Sequence, residues 1–424
     1  GVIDGVDTDY QSSSTTLAIS WMGTDSVSGI SKYEYALGTA KGSDNITNWH
    51  DTTSVKALLS GFSLSDATKY YASIRATDQA GNVSAVKTGD GITIDLTAPA
   101  GSTVSDGTGA DISYSGSDTT LSANWAAFTE IVSGILKYEY AIGTTSGGTE
   151  LVTWTDNDTA TSVTKSGLTL SNGTAYYISV RATDNAGNVA TVVTSDGVTV
   201  DTAVPSAGSV SDSTAADLDW TKSTTTLTAV WTGFSDALSG IQKYEYAIGD
   251  TSGGTDVLSW TDNATATSVN KTGLTLTSGT TYYISVRAID NVGNISAIAT
   301  SDGITVDTDG PALGTPIEGS LATDIDYQNS ATELIIAWSG SDSASVIALY
   351  EYALGVTPGG TQIVPWTSAG TATADTLFFS SYQPLIEGVT YYLSVRATDV
   401  AGNMSSVSLG DGIYIDFTDI ANNN

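Results

Sequence analysis

Cysteine is absent from this chain of 424 residues, and histidine occurs once, at His50. The sequence therefore has no thiolate nucleophile, no disulfide and no side-chain set for a structural zinc site. A single histidine also leaves no Ser-His-Asp arrangement that the repeated segments described below could share. These absences predict a protein that is not an enzyme.

Long apolar runs and basic residues are also scarce. No segment approaches the ~20 apolar residues that are needed to span a bilayer. Fourteen lysines and arginines face 46 acidic residues, which gives a formal charge of −32. An acidic surface repels phosphate backbones and anionic lipid, so we expect no nucleic-acid partner and no direct membrane insertion. It suits hard cations such as calcium, which take oxygen ligands.

What the chain does contain is four copies of one segment. Tyr-Glu-Tyr-Ala begins at residues 33, 138, 244 and 350, and Arg-Ala-x-Asp-x-x-Gly-Asn begins at 75, 181, 287 and 396. Those four arginines are the only ones in the protein. The spacing of 105 to 106 residues between the Tyr-Glu-Tyr-Ala strings indicates one whole domain per repeat. We predict an N-terminally incomplete module at 1–97, two modules at 98–203 and 204–309, and a fourth at 310–424 that runs into the start of a further linker.

The second copy shows the pattern of its strands clearly. Apolar and polar residues alternate in 120–125, and Tyr138, Tyr140 and Ile142 share one face of the next segment. Residues 176–182 alternate in the same way, and 185–188 reads as a turn because Gly and Asn accept positive φ. About seven such strands per copy predict an all-β chain of four tandem antiparallel β-sandwiches arranged as an extended rod. Small sandwiches offer no cleft for a catalytic carboxylate pair.

The order of these landmarks resembles the fibronectin type III module. In the second copy they are Trp125, the Tyr138-x-Tyr140 pair, the Gly-Leu-x-Leu-x-x-Gly-Thr-x-Tyr-Tyr segment at 167–177, and Val-Arg-Ala at 180–182. The resemblance covers all four copies and is weakest in the fourth, where 380–385 replaces the Gly-Leu pattern. The Asp-x-x-Gly-Asn and Val-Asp-x-x-x-Pro elements also resemble Ig-like repeats of bacterial surface adhesins. That resemblance implies junctions that calcium stiffens.

The four arginines share one predicted environment. The alternation places each arginine outward on the sixth strand, and the glutamate of Tyr-Glu-Tyr-Ala outward on the neighbouring third strand. We therefore predict sheet-stabilising cross-strand pairs, with a ligand-binding arginine and tyrosine strip as the alternative. The pairs are Glu34–Arg75, Glu139–Arg181, Glu245–Arg287 and Glu351–Arg396, with Tyr71, Tyr177, Tyr283 and Tyr392 along the same face.

Acidic residues are predicted to gather at three module junctions. The loops after the second and sixth strands lie at one pole of such a sandwich, facing the linker from the preceding module. Carboxylates this close would repel one another, and a calcium ion with six to eight oxygen ligands would remove the repulsion. Alternatively, each aspartate accepts hydrogen bonds from turn amides of its own module. The candidate metal ligands are Asp95, Glu130, Asp184 and Asn188; Asp201, Asp236, Asp290 and Asn294; and Asp307, Asp342, Asp399 and Asn403.

Two further repeated features receive structural interpretations. A second acidic set near the first strand is interpreted as solvated surface; it comprises Asp7, Asp9, Asp111, Asp217, Asp219, Asp324 and Asp326. A tryptophan follows a polar, often Gly-rich loop in every copy, at Trp49, Trp154, Trp260 and Trp366. We predict that it covers the open edge of the core, with stacking on a sugar ring as the alternative.

The most economical function is mechanical and adhesive. Near-identical modules with short linkers predict an extracellular stalk or surface-fibre segment of a bacterial cell-surface protein, rigidified by calcium. Its partner would be a receptor, a surface polysaccharide or neighbouring copies of itself. Two alternatives stay open. The chain could supply carbohydrate-binding accessory modules of a secreted polysaccharide-active enzyme, or it could be a filament subunit that polymerises by strand exchange.

Overall fold

The computed structural model describes residues 2–4, 8–101, 103–213, 216–380 and 382–418. The chain divides into two compact units, Gly1–Ala203 and Val204–Asn424. Every regular element in the described ranges is a β-strand, and no helix there could cross a membrane.

The first unit contains two modules, each with nine strands. The strands of module 1 are β1 (Val2–Asp4), β2 (Tyr10–Gln11), β3 (Thr16–Trp21), β4 (Ile30–Gly38), β5 (Thr47–Thr52), β6 (Lys56–Ser60), β7 (Thr68–Asp78), β8 (Lys87–Thr88) and β9 (Ile92–Ile94). Those of module 2 are β10 (Val104–Asp106), β11 (Tyr114–Ser115), β12 (Leu121–Trp125), β13 (Ile135–Gly143), β14 (Val152–Asp156), β15 (Ser162–Lys165), β16 (Ala175–Asp184), β17 (Val193–Thr194) and β18 (Val198–Val200).

The second unit repeats this arrangement and adds a short strand pair in module 4. The strands of module 3 are β19 (Ser209–Ser211), β20 (Trp220–Thr221), β21 (Thr226–Thr232), β22 (Ile241–Gly249), β23 (Leu258–Asp262), β24 (Ser268–Thr272), β25 (Thr281–Asp290), β26 (Ala299–Thr300) and β27 (Ile304–Val306). Those of module 4 are β28 (Ala312–Leu313), β29 (Ile317–Glu318), β30 (Tyr327–Gln328), β31 (Glu333–Ala337), β32 (Gly340–Ser341), β33 (Ile347–Gly355), β34 (Val364–Gly370), β35 (Ala374–Phe378), β36 (Thr390–Asp399), β37 (Ser408–Leu409) and β38 (Ile413–Ile415).

Each module is a sandwich of two sheets. In module 2 the smaller sheet has the order β10-β12-β15, and the larger has the order β11-β18-β16-β13-β14, with β17 also paired to β16. The opening strand thus begins in the small sheet and crosses over, so that β11 runs parallel to β18. The other modules repeat this order. The predicted tandem sandwich of fibronectin type III type is therefore confirmed, while the extended arrangement of the whole chain stays a prediction.

The alternation in the sequence determines what each core contains. Tyr138, Tyr140 and Ile142 are buried on β13, as predicted, and so are Tyr176 and Ile178 on β16. Each module has a separate cluster of buried side chains. Trp125 meets Tyr138 edge-on with ring centroids 5.8 Å apart, an arrangement worth about 0.5–1.5 kcal/mol beyond the area it buries.

The opening strand is present in module 1 as well. Val2 lies opposite Trp21, in the same register in which Val104 lies opposite Trp125. Strand β1 therefore pairs with β3 of its own module, as β10 pairs with β12.

The last strand of each module is broken by a bulge. In module 2 Thr194 pairs with Ser179, but Val198 pairs with Tyr176, so the last strand carries one residue more than its partner. Gly197 lies in this bulge with φ of +103°, a conformation that glycine adopts without strain. The bulge leaves backbone N–H groups that need other partners.

Candidate metal centres at the module poles

Three carboxylates meet at the first junction, as the sequence predicts. Asp95 follows β9, Glu130 lies in the loop between β12 and β13, and Asp184 ends β16. One oxygen atom from each side chain lies within 4.8 Å of the other two. Asp95 and Asp184 are completely buried, whereas Glu130 is half-buried. We call these residues the first junction group.

The hydrogen bonds of this group leave one buried oxygen without a donor. Asp184 Oδ1 accepts the backbone N–H groups of Ala186 and Asn188, at 2.9 and 2.8 Å. Glu130 Oε1 accepts the N–H of Val132 at 2.7 Å. Asp95 Oδ1 accepts the N–H of Thr97 at 3.1 Å, but Asp95 Oδ2 is buried and has no hydrogen-bond partner among the described residues. Turn bonding thus accounts for Asp184 but not for Asp95.

Asn188 binds both sides of the first junction through its side-chain nitrogen, and its role as an oxygen ligand stays a prediction. Its Nδ2 donates to Asp184 Oδ2 at 2.8 Å and to the carbonyl oxygen of Asp95 at 2.9 Å. Asn403 repeats both bonds at the third junction, donating to Asp399 Oδ2 and to the carbonyl of Asp307. In both places the amide nitrogen faces the carboxylate and connects the linker to the loop after β16 or β36.

The third junction repeats the first within the second unit. Oxygen atoms of Asp307, Asp342 and Asp399 lie within 4.8 Å of one another. Asp342 Oδ1 accepts the N–H groups of Ala344 and Ser345, and Asp307 Oδ1 accepts that of Asp309. The second carboxylate oxygens of Asp307 and Asp342 are buried without a donor in the described part of the chain. This third junction group therefore has two such oxygens.

The residues predicted for the middle junction belong to different units. Asp201 is buried in the first unit, and Asp290 is buried in the second. Within the second unit, Asp236 Oδ1 accepts the N–H groups of Leu238 and Gly240. Asn294 Nδ2 donates to Asp290 Oδ2 at 2.8 Å, so this part of the site matches the other two.

The corresponding acids of module 1 are satisfied by their own loops. Asp25 Oδ2 accepts the backbone N–H groups of Ser28 and Gly29, at 2.8 and 2.7 Å. The Asp78 carboxylate accepts hydrogen bonds from the backbone N–H and the side-chain amide of Asn82. The hydrogen bond from the Asn82 side chain is the main cause of the lowered pKa of Asp78. The hydrogen bond from the backbone N–H of Ser28 is the main cause of the lowered pKa of Asp25. Among the described residues, the acids of this pole are therefore held by hydrogen bonds within their own turns.

The first and third junction groups fit a calcium ion. Calcium binds oxygen at about 2.3–2.6 Å, so ligands on opposite sides of it stand roughly 4.8 Å apart, and it accepts carboxylates and carbonyls. The spacing of at most 4.8 Å between the carboxylates satisfies this geometry. Three negative charges around buried oxygens without donors are costly unless a cation or protons balance them. That these residues hold a metal stays a prediction.

The predicted cross-strand pairs are confirmed in all four modules. Glu139 lies opposite Arg181, and Arg181 Nε donates to Glu139 Oε2 at 3.0 Å. Arg75 donates through both Nε and Nη2 to Glu34, at 2.9 Å each. The other two pairs are Glu245–Arg287 and Glu351–Arg396. Hydrogen bonding from Arg75 is the main cause of a lowered Glu34 pKa.

The repeated tryptophan lies on the outer face of the sheet, so its assignment to the edge of the core is wrong. The guanidinium of Arg181 lies 4.4 Å from the ring centroid of Trp154, and the other three modules have distances of 4.3 to 4.5 Å. The cause is a register shift between β13 and β14, with Val152 opposite Ile142 but Thr155 opposite Tyr140. The extra residue turns Trp154 to the face opposite Val152. We call the Glu–Arg–Trp arrangement the outer strip.

The outer strip lies over small residues of the sheet, and in modules 1, 2 and 3 its glutamate also forms an ion pair with a lysine. Ala141 and Ser179 point outward from the sheet yet are completely buried, which requires larger neighbours above them. Lys243 contacts Glu245 at 2.8 Å and Asp262 at 2.9 Å. The hydrogen bond from Lys243 contributes most to the lowered pKa of Glu245. The strip is therefore a connected network of charges with one tryptophan face occupied by arginine.

The interpretation of the second acidic set as solvated surface is incomplete. Asp111, Asp217 and Asp324 are exposed, but each accepts the backbone N–H of a buried acid: Asp106, Asp212 and Glu318 respectively. Asp7 lies outside the described residues. The buried acids went unrecognised because the opening strand is too short for a clear alternation, although Val104 and Asp106 have the same parity and both point inward.

Two curated proteins, both glucanases, are similar to this chain in sequence. No protein-family profile matches the chain. Exoglucanase B of Cellulomonas fimi is 31% identical over 310 residues, which are 70% of this chain and 24% of that protein. Endoglucanase B of the same organism is 30% identical over 305 residues, 68% of this chain and 25% of that protein. The chain thus spans about a quarter of the length of these relatives.

Two solved structures are similar at the level of tandem modules. The FN1–FN3 domains of chicken CNTN1 share 16% identity and a TM-score of 0.28, covering 75% of this chain and 98% of theirs. The fibronectin(III)-like modules of Clostridium thermocellum CbhA share 15% identity and a TM-score of 0.28, covering 49% of this chain and 94% of theirs. The strand order within each module, rather than these overlays, defines the fold.

Proposed function

We propose that this chain is a non-catalytic region of a secreted protein that acts on polysaccharide, and that its modules space the working parts of that protein. The observation that carries the proposal is the similarity of about 70% of the chain to an exoglucanase and an endoglucanase. This favours the accessory-module alternative over the surface stalk. Fold alone would not distinguish the two, since one sandwich serves many functions.

The side chains favour spacing over catalysis or direct sugar binding. The chain contains one histidine and no cysteine. The acids of the outer strip are held by arginine or lysine, so they are poorly placed to transfer protons to a substrate. Each repeated tryptophan is half-buried and has a guanidinium over one ring face, which leaves less ring surface for stacking on a sugar.

A depletion assay tests this proposal on the chain itself. The purified chain is mixed with insoluble cellulose and centrifuged, and protein in the supernatant and released reducing sugar are both measured. We expect the chain to stay in the supernatant like an unrelated acidic control protein, with no sugar released. Depletion would make the modules binding modules, and a variant with Trp154→Ala and Trp260→Ala would then locate the contact. Released sugar would overturn the non-catalytic assignment.

We also infer that calcium occupies the first and third junction groups and fixes the angle between neighbouring modules. The support is the convergence of Asp95, Glu130 and Asp184, the similar convergence at the third junction, and the buried oxygens without donors. A fixed angle serves a spacer because it sets the distance between the parts that the modules connect.

Thermal unfolding in EDTA and in calcium, with magnesium as the control cation, tests this inference. Binding to the folded state adds about 2.7 kcal/mol of stability per site when calcium is 100-fold above Kd. A variant with Asp95→Asn and Asp307→Asn should show a clearly smaller rise in melting temperature than the parent chain, because it loses the two junction sites. An equal rise in the variant, or none in the parent chain, would leave the junction groups as turn and linker contacts.

A cell-surface stalk is the second candidate function, because the junction groups are compatible with it too. Stiffened junctions suit a chain that holds a distant part away from a surface as well as they suit an enzyme spacer. Immunodetection separates the two: a stalk is retained with cells after a wash in high salt, whereas a region of a secreted enzyme is recovered from the medium.

A further inference from the structure

Modules 2 and 3 each hold a second acidic group that is separate from the junctions. In module 2 it consists of Asp106 at the end of β10, Asp111 in the crossover loop to β11, and Asp196 in the bulge between β17 and β18. One oxygen of each lies within 4.8 Å of the others. Asp106 is completely buried, while Asp111 and Asp196 are exposed. We call this an edge group, because it lies where the opening strand crosses between the two sheets.

The bonding of Asp106 leaves one oxygen enclosed without a partner. Asp106 Oδ2 accepts the N–H of Gly197 at 3.1 Å, and Asp111 Oδ1 accepts the N–H of Asp106 at 2.7 Å. Asp106 Oδ1 is buried and has no donor within the described ranges. A buried carboxylate oxygen normally has a donor or a cation, because its lost hydration is costly.

Module 3 reproduces this arrangement with different surroundings. Asp212 is 1% exposed, and its Oδ2 accepts the N–H of Gly303 at 3.0 Å. Its Oδ1 is again buried without a partner in the described part of the chain. Asp217 and Asp302 complete the group, with oxygens within 4.8 Å of those of Asp212. The unpartnered oxygen is therefore a repeated feature of the fold.

Module 4 has a buried acid, Glu318, at the position of Asp106, although the hydrogen bonds around it differ from those in module 2. Glu318 is completely buried, and its Oε1 accepts the N–H of Leu393 at 3.1 Å. In module 2 the equivalent N–H, that of Ile178, is bound by Ser195 Oγ at 3.1 Å. Glycine, Gly410, replaces that serine, which makes room for the longer carboxylate. Glu318 Oε2 is again buried without a donor among the residues described.

Support of the bulge explains only part of each edge group. One acceptor satisfies the N–H of Gly197, and a neutral asparagine could supply it. Two further carboxylates beside a buried one would weaken a purely structural site through repulsion. Burial is the main cause that raises the pKa of Asp106 to about 6, and the charges of Asp111 and Asp196 act in the same direction. Of the described residues that act on this carboxyl, none has a positive side chain.

We propose that each edge group of modules 2 and 3 binds one calcium ion, independently of the junctions. The donor set is entirely carboxylate oxygen, which suits a hard cation and excludes a preference for softer metals. In module 2 the enclosed Oδ1 of Asp106 would be the inner ligand, and Asp111 and Asp196 would close the site from the solvent side. The ion would tie the crossover loop to the bulged last strand. The site completes one sandwich and needs no second module.

The number of calcium ions bound by the full chain tests this proposal. The chain is stripped with EDTA, desalted and titrated with calcium chloride by calorimetry. A variant with Asp111→Asn and Asp217→Asn changes only exposed members of the edge groups, and their amide oxygens can still accept the backbone N–H. We expect it to bind two calcium ions fewer than the parent, or to bind them at least tenfold more weakly, with a melting temperature in EDTA that is no lower than that of the parent.

The junction variant with Asp95→Asn and Asp307→Asn is the matched control. It should keep the edge-group binding that the first variant loses, so failure at the junctions and failure at the edges are distinguishable. A second variant, Asp106→Asn with Asp212→Asn, should show the same loss of two ions and become more stable in EDTA, because the neutral side chain removes the buried charge. Unchanged calcium binding in the Asp111→Asn and Asp217→Asn variant would overturn the proposal and leave the edge groups as bulge supports.

Discussion

Substitutions that give module 4 the residues of module 2 test whether the length of a buried acid depends on the size of the residue beside it. Module 4 pairs Glu318 with Gly410, where module 2 pairs Asp106 with Ser195. A Cβ added at Gly410 would lie 2.5 Å from Glu318 Cδ and closer still to Oε1. Glu318 is completely buried and has no room to move away. Gly410→Ser alone should therefore destabilise module 4 by about 1–3 kcal/mol, the usual range for overpacking.

The second substitution should reverse much of that loss. Glu318→Asp alone shortens the carboxylate and removes its 3.1 Å bond with the N–H of Leu393, which costs about 1–3 kcal/mol for a buried group left unsatisfied. The double variant restores the arrangement of module 2, in which a serine hydroxyl accepts the equivalent N–H. Its loss should be smaller than the sum of the two single losses by about 1–3 kcal/mol.

Hydrogen exchange followed by mass spectrometry measures this coupling in one module at a time. Peptides from β36 report module 4, and those from β16 and β25 serve as internal controls in the same sample. All measurements are made in EDTA, so that cation binding does not contribute. Gly109→Ala is a matched control, because a Cβ there meets nothing within 4 Å. Additive losses in the double variant would refute the reasoning that Glu318 occupies the space of the serine.

Three further predictions concern single modules. Arg287→Met should destabilise module 3 by about 1 kcal/mol, measured by hydrogen exchange, because it removes the half-buried ion pair with Glu245 and the guanidinium that stacks on Trp260. The destabilisation should be smaller at high salt, which screens the ion pair. Gly197→Ala should destabilise module 2 by more than about 2 kcal/mol in urea unfolding, since its φ is +103° and its Cβ would lie 2.7 Å from a tyrosine ring. In EDTA the chain should lose stability as pH rises from about 5 to 7. Burial, first among the causes, raises the pKa of Asp106 and Asp212 to about 6 and that of Glu318 to about 7, so the folded state binds these protons more tightly and ionisation destabilises it, by up to roughly 3 kcal/mol per group. Stability in urea that is flat or rising across that window would contradict the burial of these charges.

The strands and their faces follow from the sequence because each face has a consistent chemistry. Tyr138, Tyr140 and Ile142 are buried together, which turns Glu139 outward toward Arg181. Successive side chains of a strand point to opposite faces, so whether a residue's position is odd or even is enough to predict which face it lies on. The convergence of acids at the first and third junctions also follows from the sequence, because it depends only on which loops lie at the same pole of the sandwich.

Parity is not sufficient where a strand contains an extra residue. Trp154 and Val152 have the same parity in the sequence, but the register shift against β13 places them on opposite faces. The bulge at Gly197 likewise brings Asp196 toward Asp106. The hydrophobic pattern of the sequence does not reveal either bulge. One inserted residue moves the following side chains to the other face of the sheet without changing the composition of the strand.

The role of an amide side chain also depends on three-dimensional contacts. Asn188 lies in a turn, where its sequence is equally consistent with an oxygen ligand or a hydrogen-bond donor. The structure directs its nitrogen to Asp184 and to the carbonyl of Asp95. That carbonyl comes from the preceding module, so the orientation depends on a contact across the junction that the local sequence does not specify.

The most direct measurement of the spacer proposal compares two fusion proteins. Both join one cellulose-binding module to one glucanase catalytic domain, through this chain or through a flexible Gly/Ser segment of equal residue number. A flexible segment behaves as a random coil, whereas folded modules fix the separation of the parts they connect. The account predicts equal rates on soluble substrate and at least about a twofold higher rate on insoluble cellulose for the fusion that contains this chain. Equal rates of the two fusions on insoluble cellulose would contradict it.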